Sequence, residues 1–464
     1  MSFTDKYTKA FKYLLPTPFT IAIGLTIITF FIAFFITIPE TESYLNYSVQ
    51  LLQYWEQGIW DSGLLVFAMQ MMLMLVLGHI LALTKPVNKI INIAVRSCNN
   101  TAKAAALVTL LTVIVSLFNW GLGLIFGAIF ARKVAEHAVK ENININYPII
   151  GAAGYSGLMV WHGGLSGSSL AKVAEPGHLK TMMTGILPED QLALLPDKIS
   201  YWQTVGCNMN IIVTILLLII LPLAMYWLGK RSRSTDLNLN QQSETNNINN
   251  EKIEGAEKLD HSTLFSILFG GIILLYIMYK ISIDYHFDFL QFFNPNNINL
   301  LLFALAILLH KNFFNFLAAI DKAIGGASGI LIQFPLYFGI MGIMKNSGLV
   351  TEISDFFVQV SNSTSYPVFT FLSAGLVNIF VPSGGGQWAV QGPIIVQAAT
   401  ELHLSLPKSI MALAYGDELT NMLQPFWALP LLGITGLKAK EILPYTLFLM
   451  LLGTVIYLTG LLVF

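Results

Sequence analysis

The sequence predicts an all-α polytopic membrane protein, and three observations carry that reading. Of its 464 residues, 55% are hydrophobic and 11% charged, where soluble domains run to about 25% charged. Apolar runs of about 20 residues recur, the length a helix rising ~1.5 Å per residue needs to cross a ~30 Å hydrocarbon core. Lys and Arg gather in alternate connecting segments, the bias that sets membrane orientation. A net charge of −1 with no basic block leaves nothing to follow a phosphate backbone, so no nucleic-acid partner is expected. Cys98 and Cys207 are the two cysteines, too few for a disulfide framework or a zinc site, and no metal ligation is expected.

The first apolar run, residues 19–38, follows Lys6, Lys9 and Lys12. It is too long for a signal-peptide core, so it predicts a crossing helix with a cytoplasmic N-terminus. Residues 39–60 carry Glu40, Glu42 and Glu56 but no Lys or Arg and read as an outer loop. A helix over 62–84 then returns to Lys85, Lys89, Arg96 and Lys103. Residues 104–118 are apolar but short, about 22 Å as helix. Basic residues stand on both sides of this run and the next, the second set being Arg132, Lys133 and Lys140. That pattern predicts a re-entrant helical hairpin opening inward, with its tip at Asn119-Trp120-Gly121-Leu122-Gly123. A helix from Tyr147 runs outward and breaks over 161–169, and residues 172–203 lie outside. A helix over 206–228 comes back to Lys230, Arg231 and Arg233.

Three segments follow: a first transmembrane repeat, 1–228; a polar, Asn-rich cytoplasmic linker, 229–261; and a second, inverted repeat with an extra leading helix, 262–464. In the second repeat, helices over 262–283, 298–310 and 324–344 precede a second re-entrant hairpin that opens outward, with its turn at 381–388. Asp288 falls in the outer loop after the first of these helices, and Lys252 in the inner linker. A broken helix, 408–436, runs inward through Gly416–Trp427, and helix 442–463 ends the chain outside. Both halves thus contain a hairpin and a broken transmembrane helix, in opposite orientation. The spacing repeats as well: Asn119 to His162 and Asn378 to Asn421 are each 43 positions. Secondary transporters commonly place substrate and ion where the broken elements of two inverted repeats meet.

Such a site suits a small anion. A broken helix exposes unpaired N–H groups and a partial positive charge at the start of its inner half, which bind carboxylates without a buried cation. The residues expected to bind substrate or ion are Asn119, Gly121, Gly123, His162, Ser166, Asn378, Ser383, Gly384, Gly385, Gly386, Gln387, Asp417 and Asn421. Asn and Ser supply donors to a carboxylate or oxygens to an ion. Glycines let backbone approach the ligand, or let helices pack closely. Trp161, Trp388, Phe426 and Trp427 are candidates for an apolar wall. Asp417 and Glu418 are acids inside an apolar stretch, which by default suggest function, and Asp417 is the expected proton or cation partner. His79 reads as a packing residue. No catalytic residue and no cofactor is expected beyond a coupling H+ or Na+. Gly164-Leu165-Ser166-Gly167 matches the Gly-x-Ser-Gly of intramembrane serine proteases, but so does Gly326-Ala327-Ser328-Gly329, and no phosphate-binding or metal-ligand motif is found. The reading is a transporter and not an enzyme, with a channel as the weaker alternative.

The motifs Phe67-Ala68-Met69-Gln70-Met71, Asn119 to Leu124, Val381 to Trp388 with Gln391-Gly392-Pro393, and Gln424 to Pro430 resemble the short-chain fatty acid transporter family nearly end to end. The chain departs from the family pattern at His162 (Gly expected), Gln387 (His common) and Asp417 (Glu expected). The resemblance implies uptake of short-chain fatty acids such as acetoacetate or butyrate across the bacterial inner membrane. It also implies kinship with the wider ion-transporter group of re-entrant-hairpin folds, which is often dimeric, so a homodimer and the lipid bilayer join the substrate as expected partners. Dicarboxylates or other small organic anions are the alternative substrates.

Overall fold

The computed structural model describes residues 16–184, 187–235, 255–287, 292 and 294–464. Lys6, Lys9, Lys12, Lys252, Asp288 and the 236–254 part of the expected linker lie outside the described residues. Those described form helices and no β-strand. Seven helical stretches are long and apolar enough to cross a membrane.

α1 (Pro18–Ile36) is followed by α2 (Tyr44–Ile59) and α3 (Ser62–Leu83). The segment expected to be a plain outer loop is therefore largely the helix α2. Its apolar side packs against α16 (Ser328–Asn346) so closely that a Cβ on Gly58 would lie 2.2 Å from the Phe338 carbonyl oxygen. α4 (Lys85–Val95) precedes α5 (Thr101–Phe118), which has 18 residues where the sequence suggested 15. That length is enough to count α5 among the seven stretches.

α5 and α6 (Trp120–Lys140) are separated by a single extended residue, Asn119 (φ −152°), whose side chain accepts from the Leu122 N–H at 3.0 Å. Side-chain capping of this kind supplies one of the four partners a helix start lacks. The break is thus tighter than the five-residue tip expected. Gly121 and Gly123 belong to the first turn of α6, where Cβ atoms would meet Met74 Sδ at 2.8 Å and Ser116 Oγ at 1.9 Å. Their role in the structure is close helix contact.

α7 (Tyr147–Tyr155) ends in a 3-10 turn, Ser156–Met159, and an irregular loop then runs to α8 (Ser168–Ala174). Two further short helices, α9 (His178–Met183) and α10 (Glu189–Leu194), precede α11 (Asn208–Arg231). After α12 (Glu257–Asp260) come α13 (Thr263–Tyr279), α14 (Pro295–His310), α15 (Phe313–Ala323) and then α16. α17 (Leu349–Gln359) lies between α16 and α18 (Tyr366–Phe380).

α18 and α19 (Gly384–Glu401) are separated by Val381–Ser383. Ser383 caps α19 by accepting from the Gly386 N–H at 3.1 Å. The three glycines expected to form the turn are instead the first turn of α19, where backbone N–H groups still point outward. α20 (Leu406–Thr420) and α21 (Pro425–Thr435) are joined by the 3-10 turn Asn421–Leu423, so the second broken helix opens at Asn421–Gln424. Gly416 falls inside α20, where its missing side chain admits the Phe371 carbonyl oxygen of α18. α22 (Ala439–Val463) completes the chain.

Candidate functional site

The loop between α7 and α8 and the end of α20 are built into one another. Glu418, fully buried, accepts through Oε2 from the backbone N–H of His162 at 2.6 Å and of Gly163 at 3.1 Å. Asn210 of α11 donates to the Gly163 carbonyl at 2.9 Å, and its own oxygen accepts from the Tyr415 hydroxyl at 2.9 Å. In return, Tyr155 of α7 donates to the carbonyls of Asn421 (2.8 Å), which also accepts the Gln424 N–H, and of Gln424 (3.1 Å) at the second break. Each break is satisfied by a side chain from the other half of the chain, as buried backbone requires.

His162 and Asp417 meet at the centre. The imidazole Nδ1 lies 2.5 Å from Asp417 Oδ2, and both residues are buried. The Ser169 backbone N–H points at Nε2 from 3.1 Å, with the Ser169 hydroxyl at 2.8 Å. A backbone N–H can only donate, so Nε2 accepts and Nδ1 carries the proton toward Asp417. Asp417 Oδ1 has no hydrogen-bond partner among the described residues. Asp417 and Glu418 make no ion pair with Lys or Arg among the described residues.

The start of α19 stands directly over this pair. A Cβ on Gly384 would lie 2.9 Å from Trp161 Cη2, 3.0 Å from His162 Cε1 and 3.3 Å from Asp417 Oδ2. Gly385 is exposed, with only Ser168 at 4.0 Å. The other expected residues divide into groups. Asn378 and Asn421 are joined at 2.9 Å, and Asn378 also donates to the Asp417 carbonyl at 2.6 Å and to Thr420. Gln424 donates in turn to the Asn378 carbonyl. Ser166 accepts from the Trp120 N–H at 3.0 Å, which together with Leu165 N–H on the Leu117 carbonyl ties the Asn119 turn to the loop. Gln387 is directed away from His162: it donates to the Ala374 carbonyl and to Gln391, bracing α18 against α19.

Three of the four expected wall residues share one aromatic cluster. Trp161 stacks on His162 at 4.6 Å and approaches Trp120 at 5.9 Å; Trp120 meets Trp427 at 5.2 Å, and Trp427 meets Phe426 at 5.0 Å. Phe67 and Phe334 extend it. Trp388 stands apart, its indole N–H donating to His178 Nε2 at 3.0 Å. Tyr155 and Asn210 are parts of this centre that the sequence did not single out, while Ser169 and Trp120 lie in the break and tip it named without counting among the expected binding residues. Asn210, an amide in an otherwise apolar helix, was the one with a visible signal.

A protein of apolar helices, two of them interrupted, whose interruptions enclose buried acids beneath a helix start, has the build of a membrane transporter. The chain belongs to the short-chain fatty acid transporter family: the family model described as "Short chain fatty acid transporter" matches residues 2–464. A protein of Escherichia coli (strain K12) named "Putative short-chain fatty acid transporter" is 34% identical over 454 residues, 97% of this chain and 96% of that one. One of the same name from Haemophilus influenzae (strain ATCC 51907 / DSM 11121 / KW20 / Rd) is 34% identical over 457 residues, again 97% and 96%. Among solved structures, the Alcanivorax borkumensis YdaH transporter is similar with a TM-score of 0.41 and 14% identity, covering 95% of this chain and 97% of that one. Neisseria gonorrhoeae MtrF has a TM-score of 0.41 and 12% identity, covering 97% of each. The protein is a multi-pass membrane transporter and not an enzyme.

Proposed function

We propose that this protein is a secondary transporter that takes up short-chain monocarboxylates such as butyrate or acetoacetate across the bacterial inner membrane, driven by a H+ or Na+ gradient. The observation that carries the reading is the meeting of three elements at one point: the α19 start at Gly384, the loop at His162, and Asp417. The N–H groups of Gly384 and Gly385 have no acceptor among the described residues and suit a carboxylate, which a helix start holds without a buried cation. The aromatic cluster beside Trp161 suits a short alkyl tail. A second carboxylate would need further charge, and Asp417 and Glu418 are the charges nearest at hand, so monocarboxylates are favoured over dicarboxylates.

In this reading, residues 1–228 and 262–464 form two inverted repeats joined by the cytoplasmic segment 229–261, with the N-terminus cytoplasmic. α5–α6 and α18–α19 are re-entrant hairpins entering from opposite faces. Alternating access moves the centre between the two sides, as paired broken elements allow. The mutual capping of the two breaks supports it, since both would move as one unit.

Counterflow tests the proposal. Proteoliposomes preloaded with unlabelled butyrate should take up labelled butyrate faster than protein-free vesicles, saturably, and acetoacetate should compete. Absence of saturable exchange with either compound would reject the substrate class.

A further inference from the structure

We infer that the coupling ion is a proton, carried on Asp417 Oδ1, and that one proton accompanies each carboxylate. The inference rests on the carboxylate site proposed at Gly384 and Gly385. Its basis is the arrangement of donors and acceptors around Asp417. Oδ2 is occupied by His162 Nδ1–H at 2.5 Å, and Nε2 of the same ring by the Ser169 N–H at 3.1 Å. The ring therefore has no vacant nitrogen. Oδ1, on a side chain 1% exposed, has no partner among the described residues, and is the open position for a proton.

The neighbours favour protonation when substrate is present. A carboxylate held at the start of α19 would stand beside Asp417, since Gly384 is within van der Waals reach of Oδ2. Two like charges about 5 Å apart at an effective dielectric near 20 would weaken binding by roughly a few hundredfold. Placing a proton on Oδ1 removes that repulsion without disturbing the His162 bond. The proton comes from solvent and goes to Oδ1, and no other bond changes. The remaining titratable groups facing His162 and Asp417 are Glu418, held by the His162 and Gly163 amides, Tyr415, bonded to Asn210, and Tyr457 of α22, bonded to the Met159 carbonyl. None supplies a compensating positive charge. The groups hydrogen-bonded to Asp417 Oδ2 and Glu418 Oε2 are N–H donors, which repel a sodium ion.

The test is butyrate binding to the detergent-solubilised full chain by calorimetry, repeated in buffers of different ionisation enthalpy. About one proton should be taken up per butyrate, with affinity falling about tenfold per pH unit in the alkaline range, unchanged by replacing Na+ with choline. Asp417→Asn should bind butyrate with no proton uptake. Asp417→Glu, which keeps the carboxylate but moves it, should keep the proton count and shift the pH midpoint. Proton uptake retained in Asp417→Asn, or a midpoint unmoved in Asp417→Glu, would overturn the assignment. So would binding without proton uptake that strengthens with Na+; the ion would then be sodium, with Asn378 Oδ1 and Gln424 Oε1, amide oxygens lacking partners, as the place to look. If neither butyrate nor acetoacetate binds the wild-type protein under any condition, the carboxylate site itself is wrong.

Discussion

Two adjacent glycines at the start of α19 separate steric from conformational roles. A methyl group on Gly384 would press on Trp161, His162 and Asp417 at 2.9–3.3 Å, whereas one on Gly385 meets only Ser168 at 4.0 Å. Gly384→Ala should lower butyrate affinity at least tenfold, while Gly385→Ala should stay within about threefold of wild type; equal losses in a binding assay would show that this contact does not matter. Tyr155→Phe removes the donor to the Asn421 and Gln424 carbonyls and takes from Gln424 its Tyr155 partner, while Asn421 keeps the Gln424 N–H. It should cost about 1–3 kcal/mol of stability, read as a lower denaturation midpoint in detergent. At this scale, Asn378 and Asn421, both singled out in the sequence, do touch. Ser169 and Tyr155 were not legible, because a lone Ser or Tyr looks the same whether or not an unpaired backbone group faces it. Tyr155 finds its partner 266 positions along the chain.

The helices were legible from apolar length, and their interruptions less so. Val381–Ser383 and Asn119 are short breaks, and the glycines expected to form turns instead begin helices, since a capped first turn tolerates glycine where an interior does not. α2 is hard to see in the sequence because the acidity of its segment marks an outer loop while its apolar residues are spread at helical period rather than in one run. α9 carries a testable pH response. Burial holds the His178 imidazole below its ordinary value of 6.5, so at neutral pH it is uncharged and Nε2 accepts the Trp388 N–H. Protonation turns Nε2 into a donor and the bond is lost. The stabilisation is therefore present above pH 6.5 and declines as pH falls through the lowered value. Wild-type melting temperature should drop on acidification more than that of His178→Ala; parallel curves for the two would contradict this.

Across the whole molecule, the shortage of charge and the apolar runs announced a membrane protein, but not which side chains bind the halves together. The proposed inverted arrangement can be probed by thiol labelling. Position 123 cannot carry the reporter, because Ser116 Oγ occupies the space at 1.9 Å, so Leu122→Cys and Gly385→Cys are the better pair. Burial pushes the Cys98 thiol up to about 11, leaving little reactive thiolate at neutral pH, and Cys207 is the background to remove. Membrane-impermeant maleimide should reach Gly385→Cys from the outside and Leu122→Cys from the inside. Labelling of both from one face alone, in every substrate condition, would remove the opposed hairpins.

The reciprocal capping of the two breaks means that neither half of this chain is a finished object. Glu418 supplies what the loop at His162 lacks, and Tyr155 a donor to the Gln424 carbonyl at the second break. If the chain were divided between Thr235 and Gly255 and the fragments made together, they should reassemble around these contacts and regain transport. Made alone, each fragment should carry a row of unpaired amides or carbonyls into the bilayer and be degraded. Such a dependence would also resist duplication or exchange of one half with that of a relative, unless the acid and the tyrosine travelled with the breaks they close.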